Sequence, residues 1–159
     1  MKSEKIKTHF GVYGICLQNS NILCIMKNRG PYKGRFDLPG GSQEYNESLV
    51  ETLYREVMEE TGQEVSNEKS LVTLDFFVEV KNNLIVHHIA VLFCISISNN
   101  QLNIPSVVND GINDSLGCKW VNVKELNIEN SSPVILETLK YLKSGKIEKR
   151  SIYTDWKVL

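Results

Sequence analysis

The sequence has no paired cysteine spacing, no long apolar run and no excess of basic charge, and each absence removes a class of function. Cys16, Cys24, Cys94 and Cys118 form no CxxC pair, and the first three lie in apolar stretches, so they read as buried free thiols rather than zinc ligands. The adjacent histidines His87 and His88 fall within a strand-like run, where alternation sends them to opposite faces. They therefore cannot chelate one ion together, although one of them could line a cleft. The charged start, Met1 to Lys7, precedes no apolar segment long enough for a signal peptide or a bilayer span, which predicts a cytoplasmic protein without a membrane partner. With 18 basic and 19 acidic residues the formal net charge is −1, so no bulk nucleic-acid binding is expected. No repeat, low-complexity tract or composition shift divides the chain. Its 159 residues suffice for a substantial core, and residues 1–159 are expected to form a single domain.

What the chain does contain is concentrated in residues 40–62. Ser48 followed by Glu51 is a capping-box start and Gly62 a left-handed stop, so Leu49 to Thr61 is predicted to be a helix. At about 100° per residue, Leu49, Val50, Leu53, Tyr54 and Val57 make an apolar stripe, and Glu56, Glu59 and Glu60 share its edge. Like charges three and four residues apart repel by about 0.2–0.5 kcal/mol per pair, and acids near a helix C-terminus oppose its dipole. Arg55 can reach Glu59 but cannot balance three carboxylates alone. The edge is either a solvated acidic face or a site for a hard divalent cation with oxygen ligands, of the magnesium type.

Gly41, five residues, Glu47, seven residues, Arg55-Glu56-Val57, one residue, Glu59-Glu60, one residue and Gly62 together resemble the Nudix box. Two positions depart from that pattern: Asn46 stands where the family usually has glycine, and Gln63 where it has an aliphatic residue. Asparagine tolerates positive φ, so the turn into the helix is expected to survive. The resemblance implies an α/β fold, a Nudix-type α/β/α sandwich with a mixed central sheet. It also implies Mg²⁺- or Mn²⁺-dependent hydrolysis of a pyrophosphate bond in a nucleoside diphosphate linked to another moiety, such as a nucleoside triphosphate or nucleotide sugar. By the same resemblance the Gly40 carbonyl, Glu56, Glu59 and Glu60 are metal ligands, Glu56 doubles as general base, and Arg55 orients the carboxylates. Gly41 and Gly62 shape the box, and Glu47 supports it by binding an outer metal or by joining the arginine network. A further acid is expected in the loop before the strand of Trp120, where Asp114 is preferred over Asp110 because Asp110-Gly111 reads as a turn. The rival class is a ligand-sensing module that keeps the fold without cleaving. An isoprenoid diphosphate isomerase also uses this fold, but no Cys/Glu arrangement here supports it. A homodimer is left open.

Around the box, Thr8 to Leu17 and Ile22 to Met26 read as a hairpin about Asn19-Ser20-Asn21. Lys27 to Arg35 is a basic loop in which Arg29 and Arg35 either meet substrate phosphates or face solvent, and Phe36 is a candidate substrate contact. Phe10, Tyr13, Phe76 and Phe77 could stack on a base or simply pack the core. Ser66 to Ser70 reads as a loop, Leu71–Val80 with Leu84–Ile97 as a second hairpin, and Asn99 to Leu116 as a long polar loop before a short strand Gly117 to Val121. Ser131-Ser132-Pro133 opens a last helix that stops at Gly145, and the tail with Ile152, Tyr153 and Trp156 is left to add a strand or cover an edge.

Overall fold

The computed structural model describes residues 5–81, 83–98 and 115–159. Strand β1 (Lys5–Ile15) is exposed along its first half and buried along its second, where Val12 and Tyr13 point to opposite faces and both are covered. A strand apolar on both faces needs cover on both: β1 pairs in parallel with a later strand along its whole length, and within that sheet Val12 and Tyr13 enter separate core clusters on opposite faces. This corrects the expected hairpin. Only its tip forms, from β2 (Leu17–Gln18) to β3 (Asn21–Lys27) through Asn19 at φ 56°, and the chain changes sheets at Cys16.

Short β4 (Phe36–Asp37) and β5 (Gly40–Gly41) lead into α1 (Leu49–Thr61), followed by β6 (Val65–Val80), β7 (Leu84–Ile97) and β8 (Ser115–Asn122). A 3₁₀ turn (Val123–Glu125), α2 (Pro133–Ser144) and β9 (Ile152–Tyr153) complete the order. One sheet runs β5-β1-β7-β6-β9 and is mixed, with β1–β7 and β6–β9 parallel. In the other, β3 pairs antiparallel with β2, β4 and β8. Leu53 and Val57 of α1 pack with Val12, Leu23 and Phe93, while Val134 and Ile135 of α2 pack with Tyr13, Phe76 and Leu92. Helix, sheet and helix are thus layered as the α/β/α sandwich requires.

Ser66–Ser70 is not a loop but the first part of β6, with Asn67 opposite Ser96 and Ser70 opposite Phe93 and an irregular register on either side. The polar run reports exposure, not conformation: the long apolar β7 supplies the pairing partner and leaves these side chains at the solvent. The four cysteines are free, three of them buried. Among the described residues no helix is long and apolar enough to cross a membrane.

Gln63 follows the helix stop half-buried, and its backbone N–H donates to Thr61 Oγ1 at 3.1 Å. Gln63→Leu leaves that bond intact and adds apolar contact, so it is expected to stabilise the protein by about 0.5 kcal/mol, or about 1–2 °C in thermal midpoint. A clear drop in the midpoint would show a polar role for the side chain.

Candidate active site

Helix α1 is held at both ends by its own sequence. Ser48 Oγ accepts from the Glu51 N–H at 3.2 Å, Glu51 accepts from the Ser48 N–H at 2.7 Å, and Gly62 ends the helix at φ 68°. With Leu53 and Val57 fully buried, the rotation of the helix is fixed, and Glu56, Glu59 and Glu60 line one cleft with Gly40 and Gly41. Glu60 is 2% exposed and its Oε2 accepts from the Gly40 N–H at 2.9 Å. Glycine is required at the first of these positions, and at the second it lets the backbone lie against a side chain. Gly40 has φ 149° and a Cβ there would lie 2.2 Å from the Val12 carbonyl oxygen, while a Cβ on Gly41 would lie 2.6 Å from Glu56 Oε1.

Arg55 organises the acids from one side. Its Nε donates to Glu47 Oε1 at 2.6 Å, its Nη2 to Glu47 Oε2 and the Ser42 carbonyl at 3.0 Å each, and its Nη1 to Glu56 at 3.0 Å and Glu59 at 3.5 Å. Of the two roles left open for Glu47, the geometry places it in the arginine network. Arg55, the Glu44 N–H and the Thr52 hydroxyl hold its carboxyl down to about 2. Glu47→Gln removes the strongest partner of Arg55 and lets the guanidinium shift, so activity is expected to fall about 10–100-fold with little change in thermal midpoint. Unchanged turnover would show that Arg55 is held without Glu47.

The acids facing the cleft are under-compensated. Burial pushes Glu60 well above the usual carboxylate range, against the pull of Lys27 and the Gly40 N–H, and burial raises Glu56 despite Arg55. Such a set suits a cation, and its donors are all oxygens, which matches Mg²⁺ or Mn²⁺ rather than a softer metal. As they stand, no three His, Cys, Asp or Glu side chains among the described residues are grouped closely enough to hold a metal ion. Arg55 Nη1 contacts both Glu56 and Glu59, whereas Glu60 is turned to the Gly40 N–H.

Across the cleft stand His9, Tyr13, Lys27 and Arg29, and the same four residues line a second, adjoining cleft whose floor includes His88 and Tyr32. Arg29 thus lines both clefts. Arg35 does not: it is 4% exposed, donates to the carbonyls of Ile128 at 2.7 Å and Lys157 at 2.9 Å, and stacks 4.1 Å from the Trp156 ring. Through those carbonyls and the aromatic face it ties the C-terminal tail to the loop before α2. Phe36 is also corrected. It packs against the core on the α2 side beneath Lys119, and strand alternation turns its neighbour Asp37 toward the cleft instead. Asp110 and Asp114 lie outside the described residues.

His87 and His88 do face opposite ways. His87 pairs with Asp75 at 2.8 Å and stacks on Phe77, whereas His88 is buried between the Tyr13 and Tyr32 hydroxyls. The cleft-lining roles of His9, Lys27, Tyr32 and Asp37 were missed by sequence reasoning. The available signal was Lys7, His9 and Tyr13 recurring on one face of β1, which needed the β1–β7 pairing to place them beside His88.

Residues 7–142 match the NUDIX domain. An ADP-ribose pyrophosphatase of Methanocaldococcus jannaschii is 39% identical over 64 residues, which cover 39% of this chain and 38% of that protein, so well under half of the relative's length is spanned. Among solved structures, a MutT NUDIX hydrolase from Burkholderia pseudomallei superposes with TM-score 0.68 at 21% identity, covering 84% of this chain and 97% of that one. A MutT protein from Bacillus halodurans gives TM-score 0.62 at 18% identity over 95% of this chain and 94% of its own. At these identities the two structures speak for the fold alone. The match over residues 7–142, together with the box geometry on α1, establishes that the chain belongs to the NUDIX domain family.

Proposed function

We propose that the chain is a hydrolase that cleaves a diphosphate linked to another moiety, acting as one domain with Mg²⁺ or Mn²⁺. The observation that carries this reading is the shared cleft of Glu56, Glu59, Glu60 and the Gly40 peptide, faced by Lys27 and Arg29. A bound divalent ion would neutralise phosphate charge and make water more acidic. Glu59, Glu60, Glu56 and the Gly40 carbonyl would hold it once the carboxylates turn from Arg55. Glu56 would take the proton of the attacking water, and Arg55, which donates to it at 3.0 Å, would orient the carboxylates. Lys27 and Arg29 would meet the phosphates from the opposite wall. Asp114 is proposed as a further acid acting on rate, so that Asp114→Asn lowers kcat without moving the thermal midpoint.

The relative from Methanocaldococcus jannaschii makes ADP-ribose the first compound to test. The four free thiols suit a reducing, cytoplasmic setting, and a homodimer would be compatible with the site. ADP-ribose, nucleoside triphosphates, nucleotide sugars, dinucleoside polyphosphates and capped RNA should be screened with Mg²⁺ for released phosphate or mononucleotide. Release from at least one class is expected. Binding without release across the whole panel would overturn the hydrolase reading in favour of a ligand-sensing module.

A further inference from the structure

The C-terminal tail is fixed to the central sheet before it reaches the clefts. Ile152 and Tyr153 of β9 pair in parallel with Phe77 and Val78 of β6, and the Phe77 N–H donates to the Ser151 carbonyl at 2.9 Å. Three residues on, the Trp156 N–H donates to the Glu79 carbonyl at 3.3 Å, and the Tyr153 hydroxyl donates to Glu137 of α2 at 2.6 Å. Trp156, 6% exposed, therefore stands on a support held by both sheet and helix. It lines neither the carboxylate cleft nor the adjoining one.

What Trp156 does touch is the loop between β3 and β4, which brings Arg29 to both clefts and Pro31 and Tyr32 to the second. The neck of this loop is closed by its own backbone: the Lys27 N–H donates to the Arg35 carbonyl at 3.0 Å and the Gly34 N–H to the Lys27 carbonyl at 2.9 Å. Beyond the neck, the tip is gripped from two sides. On the cleft side the Tyr32 hydroxyl is bonded to His88 Nδ1 at 2.9 Å, and the two rings lie within 4° of parallel. From behind, Trp156 Nε1 donates to the Pro31 carbonyl at 2.8 Å, and its ring meets the Tyr32 ring edge-on with centroids 6.0 Å apart. His88, Phe76, Tyr153, Trp156 and Tyr32 adjoin in a closed circuit of rings, so the tail and the floor of the second cleft pack as one unit.

A binding loop that is already ordered in the free protein loses less freedom when its ligand arrives. We propose that Trp156 is a positioning residue for the substrate: on the hydrolase reading it holds Arg29, Pro31 and Tyr32 where the diphosphate and its attached group meet them, and touches neither. Bound substrate holds the tip in its turn. Loss of the grip from behind therefore weakens binding and leaves the chemical step at the α1 carboxylates unchanged.

The test compares two conservative variants of the same tail. Trp156→Phe keeps a ring beside Tyr32 and loses the bond to Pro31, whereas Tyr153→Phe keeps its ring and loses the bond to Glu137. Each should lower the thermal midpoint by about 2–4 °C. Trp156→Phe alone should speed amide hydrogen exchange across residues 28–33 and raise KM by about 3–10-fold, with kcat within about twofold of the parent, for whichever compound of the panel is turned over. Unchanged exchange in the loop would overturn the proposal, and so would faster exchange with an unchanged KM. A fall in kcat as large as the rise in KM, or an equal rise in KM in Tyr153→Phe, would also overturn it, because either marks a general loosening of the fold. If the panel is bound but not cleaved, the hydrolase reading fails, and Kd from calorimetry decides in place of KM: a 3–10-fold weaker Kd in Trp156→Phe alone leaves the positioning role standing. Neither binding nor release from any compound would overturn both.

Discussion

Glu60→Gln is expected to lower kcat by about 10²–10³-fold while making the metal-free protein more stable at neutral pH. The two effects have one cause. Glu60 is buried against Gly40, and burial raises its folded pKa above the ordinary 4.5, so in the unfolded chain the proton leaves more easily than in the folded one. The folded, metal-free protein therefore loses stability as pH rises above 4.5, until the folded pKa is passed and the penalty becomes constant. Glutamine keeps an oxygen to accept the Gly40 N–H and carries no charge, so the penalty disappears along with a metal ligand. Thermal midpoints of the two proteins should separate progressively from pH 4.5 upward, and saturating Mn²⁺ should raise the parent alone. Full turnover by the variant, or a midpoint several degrees below the parent at neutral pH, would show that Glu60 serves packing rather than an ion.

Gly40→Ala is expected to cost about 3 kcal/mol, roughly 6–12 °C in midpoint, and to remove nearly all activity. The added carbon would sit 2.2 Å from the Val12 carbonyl oxygen and 2.6 Å from the Tyr13 Cα, and both belong to the backbone of a strand paired on either side. Neither can swing away as a side chain would. The strand segment at Gly40 would have to retreat from β1, carrying its N–H away from Glu60. Gly145→Ala is the comparison: at φ 67° with nothing within 4 Å, it should cost only the left-handed strain of about 1–2 kcal/mol and leave turnover alone. Equal losses from the two substitutions would mean that backbone strain, not the approach of β5 to β1, sets the requirement at Gly40.

What could be read from sequence was whatever local chemistry determines. Ser48, Glu51 and Gly62 delimit α1 without help from the rest of the chain, and the spacing of Glu56, Glu59 and Glu60 follows from helical geometry. Asn46 takes φ 65° as its residue type allows, and Ser132-Pro133 starts α2 as an N-cap and first-turn proline should. Errors arose where pairing partners decide. Whether Ser66–Ser70 forms strand or loop depends on β7, and whether β1 belongs with β3 or β7 depends on cover for both its faces. Arg35 and Arg29 are alike in sequence terms, six residues apart in one basic loop. Distant partners, Trp156 and the Lys157 carbonyl in the tail and the Ile128 carbonyl before α2, separate an arginine that serves the fold from one that faces the cleft.

The central claim, that the α1 carboxylates serve an ion which cleaves a diphosphate, is tested most directly by one assay. Mononucleotide release from ADP-ribose, or from whichever compound in the panel is turned over, should be followed with Mg²⁺, in excess chelator, and after restoration with Mn²⁺. Turnover should vanish in chelator, return with Mn²⁺, and stay absent in Glu59→Gln and Glu60→Gln variants that remain folded. Undiminished release in excess chelator, or in both variants, would contradict it.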